Sequence, residues 1–209
     1  SEMAMKASSH YVSCLDRELR LTEWGERAAP VVVAWHGLAR TGRDMDDIAG
    51  HLASRGWRVL CPDTIGRGLS QWSPDPDAEY CLDFCARLGT SMGGAIGTVA
   101  AATTLRGRIE RLVLNDNGPS LAPAAIQRIR NYAGSPAAFA TVSELEQYFR
   151  TIYKPFGWLS DAQWRRLTET SVRRLPDGRV TPHYDPAMVQ QFIHHPDDYT
   201  QWDTWDSLD

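Results

Sequence analysis

The sequence predicts an α/β fold, a mostly parallel sheet flanked by helices, and three features predict it. Val31-Val32-Val33-Ala34-Trp35 and Ile109-Glu110-Arg111-Leu112-Val113-Leu114-Asn115 are short apolar runs of the kind expected for strands buried in a parallel sheet. Glycine-bearing turns follow the strand candidates or join them to helices: His36-Gly37, Gly66-Arg67-Gly68 and Gly89-Thr90-Ser91-Met92-Gly93. Helical spacing fills the intervals and takes over after Ser120.

In chain order, His10 to Trp24 reads as two short strands, with Leu19 and Leu21 alternating against polar neighbours. Val31 to Trp35 is the first buried strand. Asp44 to Arg55 sets Met45, Ile48, Ala49 and Leu52 at helical spacing, and Gly56 ends that helix. Trp57 to Pro62 is a strand running into Asp63-Thr64-Ile65-Gly66-Arg67-Gly68-Leu69-Ser70, and Glu79–Arg87 begins a helix. Met92 to Thr104 reads as a helix with small residues on one side, and Ile109–Asn115 as a buried strand closed by Asp116-Asn117-Gly118-Pro119. From Ser120 to about Tyr199 the candidates are helices: Ala124–Ala133, Val142–Ile152 with Ser143 as N-cap, Asp161–Arg173 and Pro186–Ile193. Only the surroundings of Val180 look strand-like there. Phe149, Tyr153, Phe156, Trp158 and Trp164 are expected to form the apolar underside of this segment.

The composition excludes several function classes. With 209 residues, 43% hydrophobic and a net charge of −4, the chain reads as one ordinary soluble domain. It has no basic run for nucleic acid and no apolar stretch near the roughly 18 residues of a membrane span. The N-terminus lacks the apolar core of a secretory signal. Cys14, Cys61, Cys81 and Cys85 fit neither a disulfide framework nor a zinc site, so reduced thiols and a cytoplasmic location are expected, with Cys81 and Cys85 packing on one helix face. His194-His195-Pro196-Asp197-Asp198 reads as a polar loop without metal-ligand spacing. No metal or cofactor is predicted.

The chemistry concentrates at Gly89-Thr90-Ser91-Met92-Gly93. A G-x-S-x-G run places a serine on a sharp strand-to-helix turn, its hydroxyl exposed. The Met92 amide then lies at a helix N-terminus, suited to a developing oxyanion. The turn at His36-Gly37 sets the Leu38 amide as a second donor.

The ordered set of H-G, D-x-x-G-x-G-x-S and G-x-S-x-G-G resembles the α/β-hydrolase superfamily, in its bacterial serine esterase or lactonase branch with a helical cap. The resemblance covers about Val31 to Pro119 most firmly. It implies a core over residues 1–119, a cap inserted after the sixth strand over 120–200, and a return to the core over 201–209. It also implies Ser91 as nucleophile, Leu38 and Met92 as oxyanion-hole amides, and Asp63 as an organiser of its loop. The family order is serine, acid, histidine. His10, His36, His51, His183, His194 and His195 are therefore all misplaced as the base. Asp116, just past the sixth strand, is an alternative acid, set against a plain hydrogen-bonding role in its turn. Two departures stand out. Ser70 to Gly89 is too short for a strand–helix–strand crossover of about 30 residues, so residues are expected to be missing near 87–88. The sequence also reaches Asp209 before the strands that carry the family's histidine. The implied activity is hydrolysis of small carboxylic esters or lactones through an acyl-serine. The alternatives are a C–C bond hydrolase of meta-cleavage products and a non-catalytic binding protein. Oligomeric state is not legible.

Overall fold

A computed structural model describes residues 6–88, 111, 113 and 120–208. The predicted helix over 92–104, the strand over 109–115 and the expected break near 87–88 fall on or against residues outside that set.

The N-terminal strands form as expected. β1 (Ser8–Cys14) and β2 (Arg17–Trp24) make an antiparallel hairpin in register Cys14 to Arg17. Leu15 and Asp16 turn it with φ of 49° and 58°, the left-handed pair of a two-residue hairpin turn. β2 pairs antiparallel with β4 (Arg58–Pro62), and β3 (Val31–Val33) pairs parallel with β4, giving the order β1-β2-β4-β3. β3 is shorter than the apolar run, and Val31 and Val33 are half exposed because no described element covers that face.

The crossover from β3 to β4 is α1 (Asp46–Ser54), preceded by a 3₁₀ turn over Gly42–Met45. Ala49 packs with Val59 and Cys61, and Met45 and Leu52 lie against them, whereas Ile48 points outward at 55% exposure. A helical stripe broad enough to include Ile48 is wider than the single sheet face available. Gly56 stops the helix as expected, at φ +92°, its N–H on Ala53 O at 3.1 Å.

After β4 come α2 (Pro76–Glu79) and α3 (Leu82–Arg87), with Cys81 as N-cap of the latter. Beyond Ser120 lie α4 (Pro123–Ala133), α5 (Val142–Ile152), α6 (Asp161–Glu169), a hairpin of β5 (Val172–Arg174) with β6 (Val180–Pro182), α7 (Gln191–His194) and α8 (Trp202–Asp206). Thr141, not Ser143, caps α5, because it forms a reciprocal capping box with Glu144 that Ser143 is two residues too late to make. The α6 helix ends four residues earlier than its periodicity indicates: Val172–Arg174 leave it to pair with β6. The strand-like reading near Val180 is correct. Phe149, Tyr153 and Trp164 are core residues as expected, but Trp158 is 85% exposed, on the loop before Ser160 caps α6.

Candidate active site

The turn after β3 is built around a buried histidine. His36 Nε2 accepts the Thr64 amide at 2.9 Å, with Thr64 Oγ1 at 3.0 Å. An amide can only donate, so the neutral ring carries its proton on Nδ1 and donates it to Gly37 O, 2.6 Å away. Burial pushes the ring's pKa down, with Asp63 opposing. His36 is therefore a fixed neutral bridge and not a base.

Gly37 O also accepts from Arg40 N at 3.2 Å. The Gly37–Leu38 peptide is thus held by two donors on its carbonyl, while the Leu38 N–H, in the same peptide plane, has no partner among the described residues. A hydrogen-bonded carbonyl polarises its peptide and strengthens the opposite N–H as a donor. Leu38 O is in turn held by Arg67 Nε at 2.9 Å. Both carbonyls flanking the Leu38 Cα are anchored.

The glycine-rich loop supplies the anchors. Asp63, fully buried, accepts Gly42 N at 2.7 Å and Leu69 N at 3.0 Å, and lies 3.4 Å from Arg20 Nη1. Its expected part as loop organiser is what the geometry displays. Gly68, at φ +51°, is required: a Cβ there would lie 2.5 Å from Asp63 Oδ2. Gly66, at φ +79°, faces the Tyr80 hydroxyl at the same 2.5 Å. Arg67 between them is fully buried, donates also to Ile65 O at 2.8 Å, and lies 5.8 Å from the centre of the Tyr80 ring.

The helical segment docks on these loops through polar contacts. Gly68 N donates to His183 O at 2.9 Å and Asp185 N to Gly66 O at 2.7 Å; Tyr80 donates its hydroxyl proton to Asp185 Oδ2 at 2.6 Å. Arg40 reaches the same segment from the other loop, donating to Asp44, Leu167 O and Ser171 Oγ, and Thr41 Oγ1 donates to Thr170 O at 3.1 Å.

Of the predicted site residues, Leu38 is placed at the turn described above; Ser91, Met92 and Asp116 lie outside the described residues. Sequence reasoning missed Arg40 and Arg67. The only signal was a charged residue inside otherwise small or apolar loops, four and thirty-one residues after His36. His194, expected in a polar loop, is instead the last residue of α7, with His195 as its C-cap; both imidazoles face Asp77. No metal-ligand cluster occurs among the described residues. None of the four cysteines forms a disulfide among the described residues; Cys81 caps α3, its Sγ accepting from Phe84 N at 3.4 Å, and burial pushes the Cys61 and Cys85 thiols up to about 12. No described helix is long and apolar enough to cross a membrane.

No family model matches the chain. It is 38% identical over 205 residues to a 3-hydroxybutyrate-oligomer hydrolase of Cupriavidus necator, spanning 87% of this chain and 69% of that protein. An α/β hydrolase from Novosphingobium aromaticivorans superposes with a TM-score of 0.79 at 26% identity, covering 97% of this chain and 78% of the other. The fold is shared further with a Mycobacterium tuberculosis esterase, at TM-score 0.66 and 19% identity over 90% of this chain and 68% of that one.

Proposed function

Because this chain belongs to the α/β-hydrolase superfamily and is a hydrolase by relationship, we propose that it cleaves carboxylic esters of hydroxy acids, and related small esters or lactones, through an acyl-serine. Residues 1–119 serve as the catalytic core and 120–200 as its cap. Ser91 attacks the ester carbonyl, and a histidine that the family order places C-terminal to the cap takes its proton. The Leu38 and Met92 amides hold the tetrahedral oxyanion, each donor contributing about 10²–10³ in rate. Collapse expels the alcohol, which takes the proton back from the histidine. Water, activated by the same base, then releases the acid. The substrate class follows the name of the Cupriavidus relative, and the cytoplasm is the proposed location.

The observation that carries this reading is the Gly37–Leu38 peptide, with two donors on its carbonyl and its N–H left open among the described residues. A purely structural turn has no use for an open amide held this firmly. The test uses the purified full-length protein, a fluorophosphonate probe and intact mass. One adduct on the wild type and none on Ser91→Ala is the expected result, together with turnover of 3-hydroxybutyrate trimer and p-nitrophenyl butyrate. A wild-type protein that takes no adduct and hydrolyses neither ester rejects the proposal.

A further inference from the structure

The glycine-rich loop is held from outside as well as from within. Gly68 N donates to His183 O and Asp185 N to Gly66 O, two hydrogen bonds that flank the antiparallel bridge between Arg67 and Tyr184. The three residues after β6 therefore clasp the main chain of Arg67, whose Nε holds Leu38 O at 2.9 Å. Gly66 and Gly68, on either side of that arginine, have φ of +79° and +51°. Glycine has more backbone freedom than any other residue, so Arg67 sits between two joints and its aim depends on what restrains them. Asp63 and the loop's own turns restrain it from one side. The other restraint comes from the segment after Ser120.

Asp185 gives that outer contact its register. Its Oδ2 accepts the Tyr80 hydroxyl at 2.6 Å, and its Oδ1 accepts Ala187 N at 2.9 Å, capping the 3₁₀ turn over Pro186–Gln190. Tyr80 stands on the core side. Its hydroxyl accepts Ser73 N at 3.0 Å, its ring lies against the Arg67 guanidinium, and a Cβ on Gly66 would fall 2.5 Å from its oxygen. Both residues are buried. Burial, with Asp185 beside it, pushes the phenol up, so the hydroxyl stays protonated and donates. Apolar burial is non-directional and would tolerate sliding along the seam. A carboxylate with a donor on each oxygen holds in one geometry.

We propose that Asp185 and Tyr80 are positioning residues: their hydrogen bond registers the segment after Ser120 on the glycine-rich loop, and through Arg67 that registration sets the Leu38 amide for the oxyanion. This rests on the ester-hydrolase reading and adds regulation to the same site. Docking of 183–185 on the loop switches the oxyanion hole on, so a molecule with the clasp open binds ester but turns it over slowly.

The test is steady-state hydrolysis of p-nitrophenyl butyrate by the full-length protein, with active molecules counted by fluorophosphonate labelling taken to completion. Asp185→Ala should lower kcat per labelled molecule about tenfold or more, part of the 10²–10³ that an oxyanion donor contributes, with KM within about threefold of wild type. Tyr80→Phe keeps the ring beside Arg67 and should lose kcat in the same way. Asp185→Asn keeps an acceptor for Ala187 N and a polar partner for the Tyr80 oxygen, and should recover part of the loss. Peptide-level amide exchange over 36–41 and 64–70 should quicken in the alanine variant. A merely structural role would lower the urea midpoint and the labelled fraction while kcat per labelled molecule stays at the wild-type value, and that result overturns the clasp. A loss confined to KM overturns it too. If Asp185→Ala fails to fold, Tyr80→Phe decides by the same ratio. Labelled wild type with variants of undiminished kcat defeats the clasp alone, whereas wild type that takes no label defeats the hydrolase reading and the clasp with it.

Discussion

The His36 bridge can be split into its two halves by substitution. Asparagine carries a side-chain nitrogen at about the position of Nδ1, so His36→Asn keeps a donor for Gly37 O. It is too short to reach Thr64, whose buried amide, now 2.9 Å from His36 Nε2, loses its acceptor. An unpaired buried amide costs about 1–3 kcal/mol. Glutamine does the reverse: its oxygen reaches the Nε2 position and keeps Thr64, while Gly37 O retains only the Arg40 amide at 3.2 Å. That loss is one ordinary hydrogen bond, about 0.5–1.5 kcal/mol in stability. Its larger effect falls on the rate. Removing an oxyanion donor costs about 10²–10³, so a loosened one should cost roughly 10–100-fold in kcat with KM little changed. Urea unfolding followed by tryptophan fluorescence measures the first quantity, and steady-state hydrolysis of p-nitrophenyl butyrate with fluorophosphonate labelling rates measures the second. The two variants should therefore swap order between the assays. A glutamine variant as fast as wild type, beside a slowed asparagine variant, would refute the idea that the Nδ1 contact positions the Leu38 amide.

The same histidine sets part of the pH dependence of stability. Burial lowers the pKa of both His36 and His183 in the folded state. Below the ordinary histidine value of about 6.5 the unfolded chain binds protons that the folded one refuses, so stability should fall as pH drops from there, by at most about 1.4 kcal/mol per pH unit for each ring. Above that value neither ring contributes, and His36→Gln should remove one proton from the slope in urea titrations between pH 7 and 5. Gly68→Ala should lower the unfolding free energy from urea titration by about 1–3 kcal/mol, since the new Cβ meets Asp63 Oδ2 at 2.5 Å and φ is +51°. Gly56→Ala, at φ +92° with nothing within 4 Å, should cost only about 1 kcal/mol; equal losses would show that the Asp63 contact gives way freely. Under native conditions iodoacetamide should modify the partly exposed Cys14 and spare Cys61 and Cys85, whose thiols are buried and hard to ionise, as peptide mass mapping will read out.

Motif chemistry was the most legible part of the sequence. The turn at His36-Gly37, the helix stop at Gly56 and the loop from Asp63 to Ser70 were readable because each needs a particular residue type: an acceptor for an amide, a residue free to take positive φ, a carboxylate for two N–H groups. What was not legible depends on neighbours distant in sequence. Trp158 is as apolar as a core residue, yet it is 85% exposed among the described residues. Val172 continues the helical period of α6 but pairs with Pro182, since a strand partner ten residues on competes with one more helical turn. Arg40 and Arg67 drew no reading from the sequence, because burial of an arginine depends on carbonyls that only the folded loops bring together.

Those two arginines tie the proposed oxyanion hole to the segment after Ser120, the proposed lid. Arg67 anchors Leu38 O and leans on Tyr80, whose hydroxyl grips Asp185 of that segment. Arg40 anchors Gly37 O through its main chain, while its side chain holds Leu167 O and Ser171 Oγ in the same segment. A lid attached by surface contacts could open without disturbing the turn beneath it. Beside the contacts of Gly66, Gly68 and Thr41, two of the links from the segment after Ser120 to the Leu38 turn run through a buried guanidinium, and buried polar groups lose heavily when half of their partners leave. Lifting the cap at either loop therefore exposes or strands a charge within two residues' reach of the Leu38 amide. On the proposed function, with residues 120–200 as the cap, the Leu38 amide is held rigid only while that segment is seated, so turnover and docking should fail together when either arginine is replaced.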